Sequence, residues 1–257
     1  MKSDNGLSEF VRKAKGGELP LGAVVTFADA AVTEVLCAAG FDFLWVDGEH
    51  GILDRKVAQD HVIAAAAHGC PVLYRVPACD HTEIKRIIDL DPAGVIVPMV
   101  MNAEDAAKAV SACRYPTNGG TRGCGYRRGF AYGAAEIEAY LDDARENPLV
   151  VIQLEHIDAV RDLDRILAVP GIGSVLIGPY DLSMSMGKPG QWHDPEVFAV
   201  FDEVCRKIKK AGVLLGVYTE CDFDIWKRRG VDYMAVKNDT NAMLMGARMM
   251  LEQARRL

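Results

Sequence analysis

Short apolar runs and amphipathic stretches alternate along the whole chain, and this alternation predicts a parallel α/β fold. Eight apolar runs, rich in β-branched and aliphatic residues, are typical of buried strands and lie at 21–27, 43–46, 71–74, 94–97, 150–154, 175–177, 213–218 and 233–236. Stretches of helical composition separate them, and glycine often ends these stretches, as at Gly40 and Gly69. Eight strand–helix units spaced by about 25–35 residues predict a (β/α)8 TIM barrel.

The length of the chain fits this architecture. Its 257 residues, half of them hydrophobic, match the roughly 250 residues of one barrel. No linker or low-complexity segment interrupts the pattern, so we expect residues 1–257 to form one domain. A doubly wound open sheet is the alternative, and it is disfavoured because no Gly-x-Gly-x-x-Gly motif follows the first strand.

Charge and cysteine content narrow the class of protein. The net charge is −7, and no long run of lysine and arginine occurs, which disfavours a nucleic-acid surface or a polybasic membrane patch. No stretch approaches the roughly 20 apolar residues that span a bilayer, and the first residues lack the apolar core of a signal peptide. Seven scattered cysteines without a Cys-x-x-Cys pair favour reduced thiols in the cytoplasm and argue against a zinc knuckle.

Two carboxylates follow consecutive predicted strands. Glu155 comes directly after the run 150–154, and Asp181 lies just past the run 175–177. The carboxyl ends of parallel strands share one face of the fold, where ligands bind. Two carboxylates on that face can hold a hard divalent cation that keeps water positions for a substrate. The alternative is a pair of solvated loop acids.

Further polar residues occupy the same face. Strand 2 leads into Asp47 and His50, strand 3 ends at Arg75, and strand 5 contributes Gln153. A base, a guanidinium and several carboxylates are the groups needed for proton transfer next to a carbonyl whose oxygen a metal polarises. Taken singly, an arginine after a strand is more often a surface ion pair. The prediction therefore rests on their convergence.

One long irregular segment, residues 115–129, breaks the regular alternation. Its glycine density indicates a loop, and a loop of this length in a compact domain is usually functional. It carries Arg122, Arg127 and Arg128. These arginines could bind a second substrate carboxylate or pair with acids at a subunit interface, and the sequence leaves both interpretations open.

Six motifs together resemble the 4-hydroxy-2-oxoheptanedioate aldolase family, the HpcH/HpaI-type metal-dependent class II pyruvate aldolases. The resemblance covers about residues 18–250 in the family's order and spacing. The motifs are Asp-Gly-Glu-His-Gly (47–51), Tyr-Arg-Val-Pro (74–77), Val-Ile-Val-Pro-Met-Val (95–100), Arg-Gly-Cys-Gly (122–125), Gln-Leu-Glu (153–155) and Gly-Pro-Tyr-Asp-Leu-Ser (178–183).

This resemblance implies a barrel of the phosphoenolpyruvate/pyruvate superfamily, whose last helix packs on a neighbouring subunit, usually within a homohexamer. It implies Mg²⁺ or Mn²⁺, with Co²⁺ as a substitute, on Glu155 and Asp181. The pyruvate carboxylate would be held by backbone N–H groups of the segment Gly178, Pro179, Tyr180 and Asp181.

The resemblance also assigns catalytic roles. His50 would be the acid/base, Arg75 would lie near the keto oxygen of pyruvate, and Gln153 would orient the site, while Asp47 belongs to the same motif as His50. Asp89 matches the family's partner carboxylate for the histidine. Because Asp89 precedes strand 4 and His50 follows strand 2, the two should lie at opposite ends of one barrel. Asp89 would therefore have to act on the His50 of a neighbouring subunit.

The expected reaction is reversible cleavage of a 4-hydroxy-2-oxo acid to pyruvate and an aldehyde through a metal-stabilised pyruvate enolate. A citrate-synthase-like or acyl-CoA lyase activity on the same metal site is the alternative. A class I aldolase would need a desolvated lysine, for which Lys237 is the candidate, and a metal-binding scaffold without activity is the non-enzymatic interpretation. Tyr180, bulkier than the alanine often found there, and the sequence Lys237-Asn238-Asp239 depart from the family pattern, which leaves the aldehyde partner open.

Overall fold

The eight predicted strands close into one parallel barrel. The computed structural model describes residues 5–256. Each strand pairs in parallel with the next along the chain, and β8 pairs with β1 to complete the ring. The strands are β1 (Leu21–Val25), β2 (Phe43–Asp47), β3 (Val72–Arg75), β4 (Gly94–Val97), β5 (Leu149–Leu154), β6 (Ser174–Ile177), β7 (Leu214–Tyr218) and β8 (Tyr233–Asn238). This order confirms the predicted (β/α)8 barrel.

Helices surround the barrel and lie mainly between successive strands. They are α1 (Leu7–Gly16), α2 (Ala31–Ala38), α3 (Arg55–Ala67), α4 (His81–Ile88), α5 (Ala103–Cys113), α6 (Ile137–Asp143), α7 (Ile157–Arg161), α8 (Leu163–Leu167), α9 (Pro179–Ser185), α10 (Pro195–Ala211), α11 (Phe223–Arg228) and α12 (Asp239–Arg255). Two 3₁₀ segments, Pro116–Asn118 and Arg128–Gly133, lie in the long segment between α5 and α6. No helix within residues 5–256 is both long and apolar enough to cross a bilayer.

Strand burial explains why the apolar runs are so uniform. Every residue of β2 to β6 is buried, because the strands pack against the barrel interior on one face and against helices on the other. At the amino-terminal end, Phe10 of α1 lies 5.3 Å from the ring centroid of Phe43 and 5.2 Å from that of Tyr233. Edge-to-face packing of these rings closes the bottom of the barrel and leaves the opposite end for a ligand site.

The structure differs from the predicted elements in two places that affect the site. A short helix, α9, starts directly after β6, because Pro179 is compatible with the first helical position, where no N–H bond is needed. Strand β8 continues through Lys237 to Asn238, with a register shift against β1 between Gly22 and Val24. The first difference puts Asp181 in the first turn of a helix, and the second brings Asn238 to the rim of the barrel.

Candidate active site

A cavity of about 300 Å³ opens at the carboxyl ends of the strands. Residues from β1, β2, β3, β5, β7 and β8, together with the segment that begins α9, surround it. Its lining residues are Val24, Thr26, Trp45, Asp47, His50, Arg75, Gln153, Gly178, Pro179, Tyr180, Asp181, Tyr218, Glu220 and Asn238. The cavity therefore contains most of the residues that the strand-end argument selected. A larger cavity, of about 670 Å³, lies at the opposite end of the barrel beside α1 and contains none of the predicted site residues.

Asp47 and Arg75 form the centre of the site. They end β2 and β3 and are direct neighbours in the parallel register, so their side chains leave the barrel at the same height. Asp47 accepts two hydrogen bonds from the guanidinium, Nε to Oδ1 at 2.8 Å and Nη2 to Oδ2 at 2.6 Å. Both residues are buried. This bidentate geometry fixes the plane of the guanidinium.

Arg75 has further partners on its remaining faces. Its Nη1 lies 2.8 Å from Oε2 of Glu49 and 3.5 Å from Oε1 of Gln153, and its guanidinium carbon lies 4.8 Å from the ring centroid of Trp45. Burial disfavours the charged guanidinium, but the hydrogen bonds and charges of Asp47 and the charge of Glu49 outweigh this effect and raise the pKa of Arg75. Arg75 is thus a permanent, oriented cation.

The segment after β2 is shaped by backbone contacts to Asp47. Oδ1 of Asp47 also accepts the N–H groups of Glu49, at 3.1 Å, and His50, at 3.3 Å. Gly48 approaches β3 so closely that a Cβ on it would lie 2.7 Å from the carbonyl oxygen of Arg75. Glycine is therefore required at this position, and one carboxylate positions both the arginine and the histidine segment.

His50 lies at the mouth of the cavity. Its side chain is 70% exposed, and its Nε2 is 4.0 Å from Oε2 of Glu49. Within residues 5–256 of one chain, no side chain forms a hydrogen bond with its imidazole. The ring is accordingly accessible to a substrate, and its orientation is not set by its own subunit.

Glu155 directly follows β5 and is buried, and it is not among the residues that line the cavity. Its Oε1 accepts the N–H of Met99 at 2.7 Å, and its Oε2 accepts a hydrogen bond from Nε2 of Gln153. A Cβ on Gly178 would lie 3.1 Å from Cβ of Glu155 and 3.2 Å from its Oε2. The absence of a side chain at residue 178 therefore creates the space that this carboxylate occupies.

Asp181 lies in the first turn of α9 and lines the cavity. The neighbouring Tyr180 also lines it and packs edge-to-face on Trp192, with ring centroids 4.4 Å apart. The N–H groups of Tyr180 and Asp181 belong to the first helical turn, where backbone donors have no partner within the helix. These donors are available to an anion at the edge of the cavity.

Negative charge accumulates at this end of the barrel. Burial, together with the charges of Asp181 and Glu49, raises the pKa of Glu155 to about 7. Burial is also the main cause of the raised pKa of Glu49, to which Asp47 and Asp181 contribute. Arg75 offsets only part of this charge. A buried carboxylate beside further, mutually repelling carboxylates fits a cation, and the buried Glu155 and the exposed Asp181 are the two that could ligate it.

The wall of the cavity next to β6 and α9 comes from β7 and β8. Tyr218 donates from its hydroxyl to Oε1 of Glu220 at 2.9 Å, and Nδ2 of Asn241 donates to the same oxygen at 3.3 Å. Nζ of Lys237 lies 4.0 Å from Oε2 of Glu220. Lys237 does not line the cavity, whereas Glu220 and Asn238 do. Lys237, the candidate Schiff-base lysine, is therefore paired with a carboxylate and lies outside the cavity lining.

Two of the predicted residues, Asp89 and Arg122, lie outside the cavity. Asp89 pairs with Nη2 of Arg55 at 3.5 Å, and no hydrogen bond or ion pair within the described part of one chain joins it to His50. Arg122 is buried, with its guanidinium 4.5 Å from the ring centroid of Tyr115 and Nη2 donating to the hydroxyl of Tyr140 at 3.0 Å. Neither residue reaches the cavity of its own subunit.

Sequence reasoning missed several lining residues. Trp45, Tyr218 and Glu220 line the cavity and were not selected, and the contact of Arg75 with Glu49, which is outside the lining, was not predicted. Tyr218 and Glu220 follow the rule that selected Glu155, because they stand at and just after the end of a strand. Polar residues at the end of β7 were therefore a signal that could have been used.

Comparisons with known proteins agree with this geometry. The sequence profile described as HpcH/HpaI aldolase/citrate lyase matches residues 22–228. A hydroxypyruvate/pyruvate aldolase of Roseobacter denitrificans is 36% identical over 240 residues, which are 93% of this chain and 93% of that protein. A 4-hydroxy-2-oxovalerate aldolase of Rhodococcus jostii is 36% identical over 241 residues, 92% of each chain.

Solved structures show the same relationship. The crystal structure of an HpcH/HpaI aldolase/citrate lyase family protein from Burkholderia cenocepacia superimposes with a TM-score of 0.89 and 29% sequence identity. The superposition covers 96% of this chain and 99% of that chain. The similarity thus includes the whole barrel and its carboxyl-terminal face.

Proposed function

Because the chain belongs to the HpcH/HpaI aldolase/citrate lyase family, we propose that it is a class II aldolase. It reversibly cleaves a 4-hydroxy-2-oxo acid to pyruvate and an aldehyde. The observation that carries this proposal is a group of carboxylates beside an oriented cation. The buried Glu155, with a pKa raised to about 7, interacts with the charges of Asp181 and Glu49, and Arg75 and Asp181 line the cavity. This arrangement suits a reaction in which negative charge develops on a substrate oxygen.

A divalent cation, Mg²⁺ or Mn²⁺ with Co²⁺ as a substitute, would be held by Glu155 and Asp181. The described residues contain no group of three or more His, Cys, Asp or Glu side chains placed to share a metal ion. The protein would thus contribute two carboxylates, and substrate and water would complete the coordination. When bound, the cation supplies Lewis-acid stabilisation of the enolate oxygen.

The side chains and backbone of the chain perform the remaining steps. The N–H groups of Tyr180 and Asp181 bind the substrate carboxylate, and Arg75 donates an N–H that Asp47 and Glu49 do not use to the keto oxygen. His50 removes the proton from the 4-hydroxyl group, the aldehyde carbonyl forms, and the electron pair of the broken C3–C4 bond passes to the enolate of pyruvate. The enolate takes a proton at C3 to give pyruvate, and in the reverse direction C3 loses that proton and His50 returns one to the new hydroxyl group. Gln153 keeps the carboxylate of Glu155 in place.

The alternatives have less support. A Schiff base requires a desolvated amine, and Lys237 lies outside the cavity beside Glu220. An acyl-CoA substrate requires cations for its phosphates, and Arg75 is the one permanent cation among the residues that line the cavity. An idle scaffold has no reason to keep uncompensated carboxylates together.

The active form is proposed to be a homohexamer in the cytoplasm. On α12, Asp239 is the one buried residue of the described helix, while six apolar side chains of the helix are exposed: Met243, Leu244, Met245, Met249, Met250 and Leu251. Such a patch is typical of a subunit interface, which supports packing of α12 on a neighbour. All seven cysteines are free thiols, which suits a reducing compartment.

A retro-aldol screen tests the proposal. Several 4-hydroxy-2-oxo acids are incubated with the protein, and pyruvate is measured before and after EDTA treatment. We expect EDTA to abolish pyruvate release and Mg²⁺ or Mn²⁺ to restore it. Glu155→Gln should be inactive, whereas the same change at the exposed Glu104 should have no effect. Activity that survives EDTA, or inactivation by borohydride in the presence of pyruvate, would reject the metal mechanism.

A further inference from the structure

The cavity has two chemically different walls. One wall, from β2, β3, β5 and α9, carries the groups assigned above to the metal and the pyruvate half of the substrate. The other wall, from β7 and β8, carries Tyr218, Glu220 and Asn238. Because the proposed function assigns the pyruvate half to the first wall, the second wall is left for the aldehyde half of a 4-hydroxy-2-oxo acid.

The second wall has no cation facing the cavity. The lining residues include three carboxylates, Asp47, Asp181 and Glu220, against the single guanidinium of Arg75. Arg75 is already paired with Asp47 and Glu49. Lys237, with its Nζ 4.0 Å from Oε2 of Glu220, is not among the lining residues. A substrate group beside β7 and β8 therefore meets Glu220 before it meets any positive charge of its own subunit.

Glu220 is also held in place. Tyr218 and Asn241 both donate to its Oε1, so the carboxylate cannot easily turn away from the cavity. Its Oε2 accepts no hydrogen bond from the described residues and can accept one from a hydroxyl group. The negative surroundings extend to Tyr180, whose pKa is raised by burial and by the charge of Glu220.

From this wall we infer that the aldehyde partner is an uncharged hydroxyaldehyde, and that Glu220 excludes aldehydes that carry a second carboxylate. The inference rests on the proposed aldolase function and names the substrate class for its second half. Like charges a few ångströms apart in a half-buried site repel strongly, whereas a hydroxyl group can donate to Oε2 of Glu220. Glu220 is thus a specificity-determining residue.

A matched pair of two-carbon aldehydes tests the inference. Glycolaldehyde and glyoxylate differ in whether a hydroxymethyl or a carboxylate group is attached to the aldehyde carbon. The measured quantity is the ratio of kcat/KM for glycolaldehyde to that for glyoxylate in condensation with pyruvate. Comparing this ratio between variants cancels the intrinsic reactivity of the two aldehydes.

We expect Glu220→Gln to lower the ratio about tenfold. This is roughly the effect of one like charge a few ångströms away under strong solvent screening. The Glu203→Gln variant, on the exposed surface of α10, removes the same charge far from the cavity and should keep the wild-type ratio. Lys237→Met leaves Glu220 uncompensated and should raise the ratio. This second variant tests the inference independently if Glu220→Gln fails to fold.

Two outcomes separate this inference from the proposed function. The wild-type protein with Mg²⁺ should exchange the methyl protons of pyruvate for deuterium in D₂O. This reaction needs no aldehyde, and NMR measures it. Its absence would reject the aldolase function, and the inference would fall with it. If exchange occurs but the ratio of kcat/KM for the two aldehydes is unchanged in both Glu220→Gln and Lys237→Met, the proposed role of Glu220 is overturned. The proposed aldolase function is then unaffected.

Discussion

Asp47 holds the guanidinium of Arg75 through two parallel hydrogen bonds, at 2.8 and 2.6 Å, across the adjacent ends of β2 and β3. The same carboxylate accepts the backbone N–H groups of Glu49 and His50. Two functional segments that are separated along the chain are therefore aligned by one buried side chain. The site is pre-oriented before a substrate enters, which reduces the reorganisation needed in the reaction.

The first prediction concerns the two hydrogen bonds between the guanidinium of Arg75 and Asp47. Arg75→Lys should lower kcat by about 10²-fold or more, because a lysine cannot make both bonds to Asp47 and still present a fixed donor to the developing oxyanion. Steady-state retro-aldol kinetics give kcat and KM. Arg161→Lys, at an exposed pair with Asp158 on α7, is the control and should behave as wild type. A change confined to KM would recast Arg75 as a group that binds substrate and transition state equally.

The second prediction concerns the space beside Glu155. Gly178→Ala would place a Cβ within 3.1 Å of Glu155, so the carboxylate must shift. We expect weaker Mn²⁺ binding in calorimetry and loss of most activity, with an unchanged circular dichroism spectrum. Gly16→Ala on α1, where the added Cβ meets only Oε1 of Glu18, at 3.9 Å, serves as the control. Wild-type Mn²⁺ affinity in Gly178→Ala would remove Glu155 from the metal site.

The third prediction concerns Asp89 and His50. If Asp89 orients the imidazole of a neighbouring subunit, His50→Asn and Asp89→Asn should each be nearly inactive. After the two variants are dissociated, mixed in equal amounts and reassembled, about one site in four receives both intact residues. Activity should return to about that fraction of wild type. No recovery, with mixed oligomers verified by mass spectrometry, would show that Asp89 does not act between subunits.

The fourth prediction concerns the backbone of Lys237. Its φ of 97° lies in the region that favours glycine. A non-glycine residue there stores on the order of 1–3 kcal/mol of strain, partly offset by the greater unfolded-state entropy of glycine. Lys237→Gly should therefore unfold in urea with a free energy about 1 kcal/mol higher than Lys237→Ala. Both variants remove the ammonium group, so loss of the pair with Glu220 cancels in the comparison. Equal stability would contradict the strain.

The fifth prediction concerns α12. A charge at its exposed apolar surface should weaken subunit packing, because an unpaired carboxylate is costly to bury. Met249→Glu is expected to shift the mass measured by light scattering to smaller species. Gln253→Glu, one turn further along, adds the same charge at a polar, exposed position and is the control. An unchanged mass for Met249→Glu would exclude this part of α12 from the interface.

The sequence by itself determined the barrel and the end of it at which two candidate metal carboxylates lie. Strands buried on both faces require unbroken apolar runs, so β2 to β6 were visible as runs without alternation. Chain direction then placed Glu155 and Asp181 on one face, since the carboxyl ends of all parallel strands in a barrel point the same way. These inferences need only local pattern and topology.

The tertiary structure alone decided which polar groups touch. The pairing of Asp47 with Arg75, 28 residues apart, depends on strand register, and the second pairing of Arg75, with Glu49, depends on how the segment after β2 turns. Strand order placed Glu220, after β7, in the same cavity as Asp181, which follows the neighbouring β6. A hydrophobic pattern reports burial and element type, whereas hydrogen bonds and ion pairs require side-chain separations within about 4 Å between distant parts of the chain, and only the closed barrel sets those separations.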